Sequence, residues 1–474
     1  MMKQSDTQRR DRPCKILVVD PIGLKLDALG QQDSSEVEDH IRRIGGYLHR
    51  GPATGSEALT PGGLHFFYCP DLNHEREIAD HTSTGRYDAV IAAATTIPES
   101  SLFSEGGVRI GAGTGNMRSA SWGGSNGRGG TAPLMNTPGF NSRATAQMAF
   151  KALLRAQPGL PTAQLHARVV AGQFDTSRHL KNYPSETLEG QRIAILGFGH
   201  IGREMAVLCK AFAMQVTVYA HARWQRWCES EGFQYAASVT EAAEGARFLS
   251  IHTGLGTLEK GRYANENIVD RSVLARLRDG AVLINYDRAQ LIDLEALREA
   301  LTHGKVRFVC VDADVFLDEA GCPVGPLAPY VALARDWPDA FELMPHAAAD
   351  TEHCSRVAGA KQAVDQIANA IRHRQVVNLI GDLPPGYQDL GTVSVAGVGK
   401  VRAARLAAVV SDASRRAEIR ALAERLAAFW KTVDAASEEA RSKLIVDQGR
   451  DMVMSSNRLA TLMQNLGLRG PFEE

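Results

Sequence analysis

The sequence predicts an α/β protein, with strands and helices alternating in parallel sheets and a helical C-terminal extension behind them. Three observations predict it. Short apolar runs recur through the first ~380 residues with helical patterns between them. One of these runs is followed by glycines at Gly197, Gly199 and Gly202, and then by a helical segment. The last ~85 residues drop the alternation and turn rich in Ala, Arg, Glu and Leu.

Composition sets the outer bounds. A chain of 474 residues holds two or three domains at roughly 100–200 residues each. Hydrophobic residues make up 44% and charged ones 23%, which suits well-filled cores. A formal net charge of −1 gives no bulk pull toward nucleic acid or a membrane surface, so neither is expected as a partner. The apolar run at residues 16–19 is too short for a signal-peptide core, and no run approaches the ~20 residues of a membrane span. A soluble, cytoplasmic protein is expected. Seven cysteines, odd in number, scattered and without a C-x-x-C, argue against a disulfide framework or a zinc cluster, and no metal is expected.

Taken in order, residues 14–20 read as a strand and loop. Further strands are expected at 64–69, 87–94 and 107–112. Between them, Val37, Ile41, Ile44 and Leu48 fit one helix over residues 35–48. Residues 121–130, SWGGSNGRGG, hold five glycines in ten and read as a loop, either a surface excursion or a mobile lid over a cleft. A helix over 141–155 ends at Gln157-Pro158-Gly159-Leu160-Pro161. Strands are then expected at 192–196, 215–219, 246–251, 281–285 and 307–311, with a helix over 203–214 and another over 351–373. Gly381 to Gly386, with Pro384 and Pro385, marks a boundary. Beyond it, Ile419, Leu422, Leu426, Phe429 and Val433 repeat at helical spacing. Ser455-Ser456-Asn457 suits the cap of a last helix carrying Leu459, Leu462, Met463 and Leu466, used for packing or oligomerisation.

The glycine segment carries chemistry. In Gly197-Phe198-Gly199-His200-Ile201-Gly202 the first glycine allows a tight turn. The second lets a pyrophosphate approach the backbone, and the third lets helix and strand pack closely. The following helix offers free N–H groups and a partial positive charge to phosphates. A lone G-x-G-x-x-G is weak, but here it lies between a strand and a helix with further strands behind it, which makes residues 188–345 a Rossmann-type dinucleotide-binding domain. An NAD enzyme usually carries an acid about 20 residues past the loop, for the ribose hydroxyls. The position here is Ala220, and His221, Arg223 and Arg226 follow it. NADP or NAD is expected, with the balance toward NADP.

Several motifs in order resemble the D-isomer-specific 2-hydroxyacid dehydrogenases, the family of phosphoglycerate, glyoxylate/hydroxypyruvate and D-lactate dehydrogenases. They are Asn136-Thr137-Pro138-Gly139-Phe140-Asn141, Leu188-Glu189-Gly190, Ile284-Asn285-Tyr286-Asp287-Arg288, Asp314-Val315-Phe316-Leu317-Asp318-Glu319, and Met344-Pro345-His346-Ala347 followed by Thr351-Glu352. The resemblance implies a catalytic set of Arg288, Glu319 and His346. His346 would give and take the proton at the substrate oxygen. Glu319 would orient the imidazole and raise its pKa. Arg288 would bind the substrate carboxylate with its planar fork of donors. Thr114 and Gly115, in the loop Gly111-Ala112-Gly113-Thr114-Gly115-Asn116, would add backbone N–H groups, and Thr95 would line the other side. Asp312 and Asp314 compete for the contact to the nicotinamide amide. The implied fold pairs the Rossmann-type doubly wound sheet with a discontinuous, flavodoxin-like α/β substrate domain. Residues 14–155 and 346–382 would form the substrate domain, 156–345 the dinucleotide domain with its linker, and 390–474 the helical extension. The implied partners are a small anionic 2-oxo or 2-hydroxy acid and a second copy of the chain in a homodimer.

Departures from the family pattern leave the substrate open. Ala289 stands where a glycine is usual after the catalytic arginine, and Asp287 puts a carboxylate beside Arg288 where a small serine is common. Two other functions share the fold: an NAD(H)-binding sensor like the C-terminal binding protein co-repressors, and a phosphite- or formate-type dehydrogenase.

Overall fold

The computed structural model describes residues 12–26, 30, 32–157, 161–259, 261–318, 320–347, 352–392 and 412–465. The chain separates into two compact units, Met1–Thr392 and Val393–Glu474.

The first unit holds two seven-stranded sheets. One contains β1 (Cys14–Val19), β2 (Gly46–Arg50), β3 (Leu64–Cys69), β4 (Ala89–Ala92), β5 (Gly106–Arg109) and β6 (Leu134–Asn136). These six run parallel in the order β2-β3-β1-β4-β5-β6, and Leu379–Ile380 adds antiparallel to β6. The other contains β7 (Arg192–Leu196), β8 (Gln215–Tyr219), β9 (Gln234–Ala236), β10 (Phe248–Ile251), β11 (Ala281–Asn285), β12 (Val306–Asp312) and β13 (Phe341–Met344). Its order is β9-β8-β7-β10-β11-β12-β13, all parallel. Every residue of β3, β10 and β11 is buried, as expected of strands covered on both faces. Strand order reverses between β7 and β10, and the crevice past the strand ends at such a point is where ligands bind in open α/β sheets.

Two helices carry the chain between the sheets. Helix Ser142–Ala156 follows β6, yet its Ala146, Ala149, Phe150 and Leu153 pack against Ile193, Ile195 and Met205 of the second sheet's core. Helix His353–His373 follows β13, yet its Val357, Ala360, Val364 and Ile367 pack with Ile16, Val18 and Ile91 of the first. Glu352 caps the latter helix by accepting the N–H groups of Cys354 and Ser355.

Four sequence expectations need correction. The helix expected over 35–48 spans only Ser35–Arg43: Gly45 takes φ +75°, the chain reverses, and Leu48 joins β2 beside Phe66. The helix expected from 203 begins at His200, inside the glycine motif. The glycine-rich segment 121–130 is neither lid nor excursion but a packed corner. Trp122 is buried, stacks on Phe103 at 5.6 Å and donates its indole N–H to the Met117 carbonyl, while Gly127 lies against the Ile380 carbonyl. Ser455 starts no helix; it lies within the continuous helix Glu438–Asn465, its hydroxyl donating to the Asp451 carbonyl one turn back. Leu466 lies outside the described residues. In the second unit that helix packs with Ala413–Ala435, burying Phe429, Val433 and Met452. Among the described residues no helix is long and apolar enough to cross a membrane.

Candidate active site

The glycine turn is built to admit a phosphate. Gly197 has φ +101°, and a Cβ there would lie 2.3 Å from the His252 carbonyl oxygen. A Cβ on Gly202 would lie 2.1 Å from the Gly197 carbonyl oxygen, so neither position admits a side chain. Gly199 differs: nothing lies within 4 Å of its Cβ position, which leaves its face open. It precedes helix His200–Ala211, whose first N–H groups have no acceptor within the helix. An open backbone face beside a helix N-terminus fits a dinucleotide pyrophosphate. Burial pushes the His200 pKa down, so the imidazole next to this seat is held toward its neutral form.

A second feature lies behind the turn. His252 and Thr253 follow β10, and both His252 Nδ1 and Thr253 Oγ1 are buried without a partner among the described residues. His252 Nε2 lies 2.8 Å from Ser250 Oγ, and burial drives the ring's pKa down to about 3. Sequence reasoning passed over this pair. The signal was present, since His252 ends the strand adjacent to the glycine-loop strand, where ligand-facing groups collect. Past β8, Ala220 is buried, and its carbonyl accepts the Tyr235 hydroxyl at 3.1 Å. The exposed side chains there are His221, Arg223 and Arg226, with the Arg223 guanidinium 4.8 Å from the Trp224 ring centre.

The expected catalytic residues come from the ends of β11 and β13. Arg288 follows β11 by three residues, and its backbone carbonyl accepts the Asn285 side-chain amide at 2.9 Å. The guanidinium reaches the first sheet: Nη2 lies 2.8 Å from where a Cβ on Gly113 would be. A side chain at Gly113 would have to push the guanidinium aside. His346, past β13, holds φ +55°, a strained conformation for a residue with a side chain. Two bonds fix it: its own N–H donates to the Met344 carbonyl at 3.0 Å, and the next N–H, of Ala347, donates to Asp312 Oδ1 at 2.6 Å. Its Nδ1 is buried and lies 3.7 Å from Asp314 Oδ1. Glu319 lies outside the described residues.

Asp312 and Asp314, rivals on spacing, therefore face different neighbours. Asp312 is buried and tied to Ala347, while Asp314 is half exposed beside the imidazole. Asp287 is a third carboxyl at this edge. Its Oδ2 accepts the Gly254 N–H at 2.8 Å. Burial raises its pKa, against the opposing pull of that N–H and of the nearby Arg288 and His346 charges.

On the first sheet, Gly111 has φ +119° and donates its N–H to the Thr137 hydroxyl at 2.8 Å. Thr114 gives its hydroxyl to the Ser125 carbonyl at 2.7 Å, and Gly115 is exposed with nothing near its Cβ position. Thr95 turns inward. It is buried, and its N–H and hydroxyl both donate to Asp20, at 3.0 and 2.7 Å. Asp20, at φ +72°, was another residue that sequence reasoning missed.

Comparison with known proteins adds identity to this geometry. Residues 160–348 match the family model described as the D-isomer specific 2-hydroxyacid dehydrogenase, NAD binding domain. The chain is 28% identical over 247 residues to the D-3-phosphoglycerate dehydrogenase of Methanocaldococcus jannaschii, covering 52% of this chain and 43% of that protein. It therefore spans less than half the length of that relative. It is 27% identical over 260 residues to the glyoxylate reductase of Korarchaeum cryptofilum, covering 54% and 72% respectively. Two solved structures share the fold. One is an NAD-dependent formate dehydrogenase from Staphylococcus aureus in complex with NAD, with TM-score 0.51 and 17% identity over 76% of this chain and 96% of that one. The other is an NADPH-dependent glyoxylate/hydroxypyruvate reductase from Sinorhizobium meliloti in complex with NADP and malonate, with TM-score 0.50 and 19% identity over 78% and 98%.

Proposed function

The chain belongs to the D-isomer specific 2-hydroxyacid dehydrogenase family, and on that premise we propose that it interconverts a small 2-oxo acid and its 2-hydroxy acid using a nicotinamide cofactor. The observation that carries this is that Arg288 and His346, past two strands of the dinucleotide-binding sheet, both lie within charge range of the Asp287 carboxyl, with Arg288 also reaching the Gly113 loop of the other sheet. A 2-oxo acid offers a carboxylate for the arginine and a carbonyl oxygen for the histidine.

A nicotinamide cofactor held at the Gly197–Gly202 turn would supply or accept the hydride at the substrate's carbon 2. In reduction, Arg288 binds the substrate carboxylate and draws electron density from the adjacent carbonyl. The backbone N–H groups at Thr114 and Gly115 close on the same carboxylate. His346 delivers its proton to the carbonyl oxygen as carbon 2 becomes saturated, and it removes that proton in the reverse direction. Asp314 stands beside the imidazole, its Oδ1 3.7 Å from Nδ1, and takes the orienting part that the motif resemblance gives to Glu319. Residues 14–155 with 346–382 form the substrate side and 156–345 the cofactor side, consistent with the two sheets and the two helices that cross between them.

NADP is the favoured cofactor, because no acid follows β8 and His221, Arg223 and Arg226 are exposed there. A homodimer is supported by helix Thr162–Val170, which buries no residue and leaves Val169 and Val170 exposed. A cytoplasmic location is supported by seven cysteines that are odd in number and scattered without a C-x-x-C. The test of the reaction is His346→Ala, assayed with a panel of 2-oxo acids. Cofactor affinity should hold while turnover drops roughly 10²–10⁴-fold. Unchanged turnover removes His346 from the mechanism, and cofactor binding without reduction of any 2-oxo acid removes the reaction class.

A further inference from the structure

The charges around Arg288 are unevenly arranged. Asp287 precedes it in the chain, but its carboxylate is held by the Gly254 N–H at 2.8 Å. That bond anchors the carboxylate to the loop after β10 instead of leaving it to close on the neighbouring guanidinium. Asp314 stands 3.7 Å from the His346 ring. Asp312 is committed to the Ala347 N–H. On the first sheet, Arg109 donates to the Ile110 carbonyl at 2.6 Å, and Arg356 is buried. Arg288 can therefore meet the first negative charge of a ligand. A second negative charge beside the first comes into the field of Asp287 and Asp314.

We propose that Asp287 is the specificity-determining residue of this site, confining it to 2-oxo acids with a single negative charge and selecting against those with a second carboxylate or a phosphate ester. The inference rests on the dehydrogenase reading for the use of Arg288 as the carboxylate seat. Asp287 acts through the field it sets at that seat. One like charge within several ångströms, at the effective dielectric of a protein cleft, weakens binding by about tenfold or more.

Oxamate and oxalate share a skeleton and differ by one negative charge, which makes them a direct probe. Their dissociation constants are to be measured by calorimetry on the full chain saturated with reduced cofactor at pH 8. Wild type, Asp287→Asn and Asp287→Ser are compared, and glyoxylate turnover is recorded in parallel. The asparagine variant keeps an acceptor for the Gly254 N–H, and the serine variant removes the charge by a different route should the first fail to fold. Wild type should bind oxamate about tenfold or more tighter than oxalate, and both variants should lower that ratio by about tenfold, leaving the part that Asp314 sets. A ratio unchanged by either substitution, or a wild type that prefers oxalate, overturns the proposal. If the ratio shifts as expected but no 2-oxo acid is reduced, the specificity stands and the dehydrogenase reading falls. If neither analogue binds any of the three proteins, both fall.

Discussion

His252 makes the stability of the dinucleotide sheet depend on pH. The unfolded chain titrates this imidazole at its ordinary 6.5, whereas burial holds the folded ring down at about 3. Between those values the unfolded state binds a proton that the folded state does not, so stability is complete above pH 6.5 and is lost as pH falls. Each pH unit costs about 1.4 kcal/mol, and across the window the loss sums to roughly 4–5 kcal/mol. The perturbation is His252→Asn, which deletes the titration and leaves a polar side chain near Ser250. Hydrogen exchange of peptides spanning β7 and β10 reads the opening free energy, and comparison of the two proteins at matched pH cancels intrinsic exchange and every other titrating group. Wild type should be the more stable at pH 7.5. Its advantage should shrink by about tenfold in the opening constant for each pH unit below 6.5. A wild-type advantage that stays flat from pH 7.5 to pH 4.5 would refute the reasoning, because it would mean that the ring charges as readily in the folded sheet as in the unfolded chain.

Two further perturbations bear on the ligand seats. Replacing Arg223 and Arg226 together by alanine should weaken NADPH roughly tenfold while moving NADH little, the loss expected of charged hydrogen bonds to one extra phosphate; equal losses for the two cofactors in fluorescence titration would exclude these side chains from phosphate recognition. Gly113→Ala places a Cβ 2.8 Å from Arg288 Nη2 and should displace the guanidinium, raising KM for the 2-oxo acid by about tenfold or more with cofactor affinity unchanged; an unaltered KM would show that the arginine takes the substrate from another position.

Much of this was legible in the sequence because it was local. β7 and β11 fall where the apolar runs put them, since parallel strands buried on both faces read as hydrophobic stretches, and β8 shows instead the alternation of a strand with one buried face. The glycine turn was legible because backbone approach leaves no alternative residue at Gly197 and Gly202. What escaped was set by tertiary context. β2, β6, β9 and β13 have only three to five residues each, too few for a period to register. Leu48 matched a helical spacing and was claimed by β3 instead. The glycines of segment 121–130 suggested mobility, but Trp122 and the Leu379–Ile380 strand supply the packing that holds it. His252 and Thr253 belong to no motif; their place after a strand was readable, but their unpartnered atoms appear only when β10 is laid beside β7.

The carboxyls near His346 show why spacing alone could not rank them. Asp312 and Asp314 lie two residues apart, the period at which strand side chains share a face, so on sequence either could have met the ligand. β12 ends at Asp312, however, and the chain leaves the sheet there. Asp312 is thereby kept inside, where its bond to the Ala347 N–H fixes the loop that holds His346 at φ +55°. Asp314 is released toward the imidazole. One carboxyl thus holds the backbone at His346 and the other lies beside its ring. Removing the first should displace the ring, while removing the second should leave the ring in place. Asp287 acts on neither the backbone nor the ring directly; it is tied to Gly254 across the gap between β11 and β10. The three acids therefore act by separate routes, and their effects on loop geometry, on the surroundings of the imidazole and on anion binding should be separable one substitution at a time.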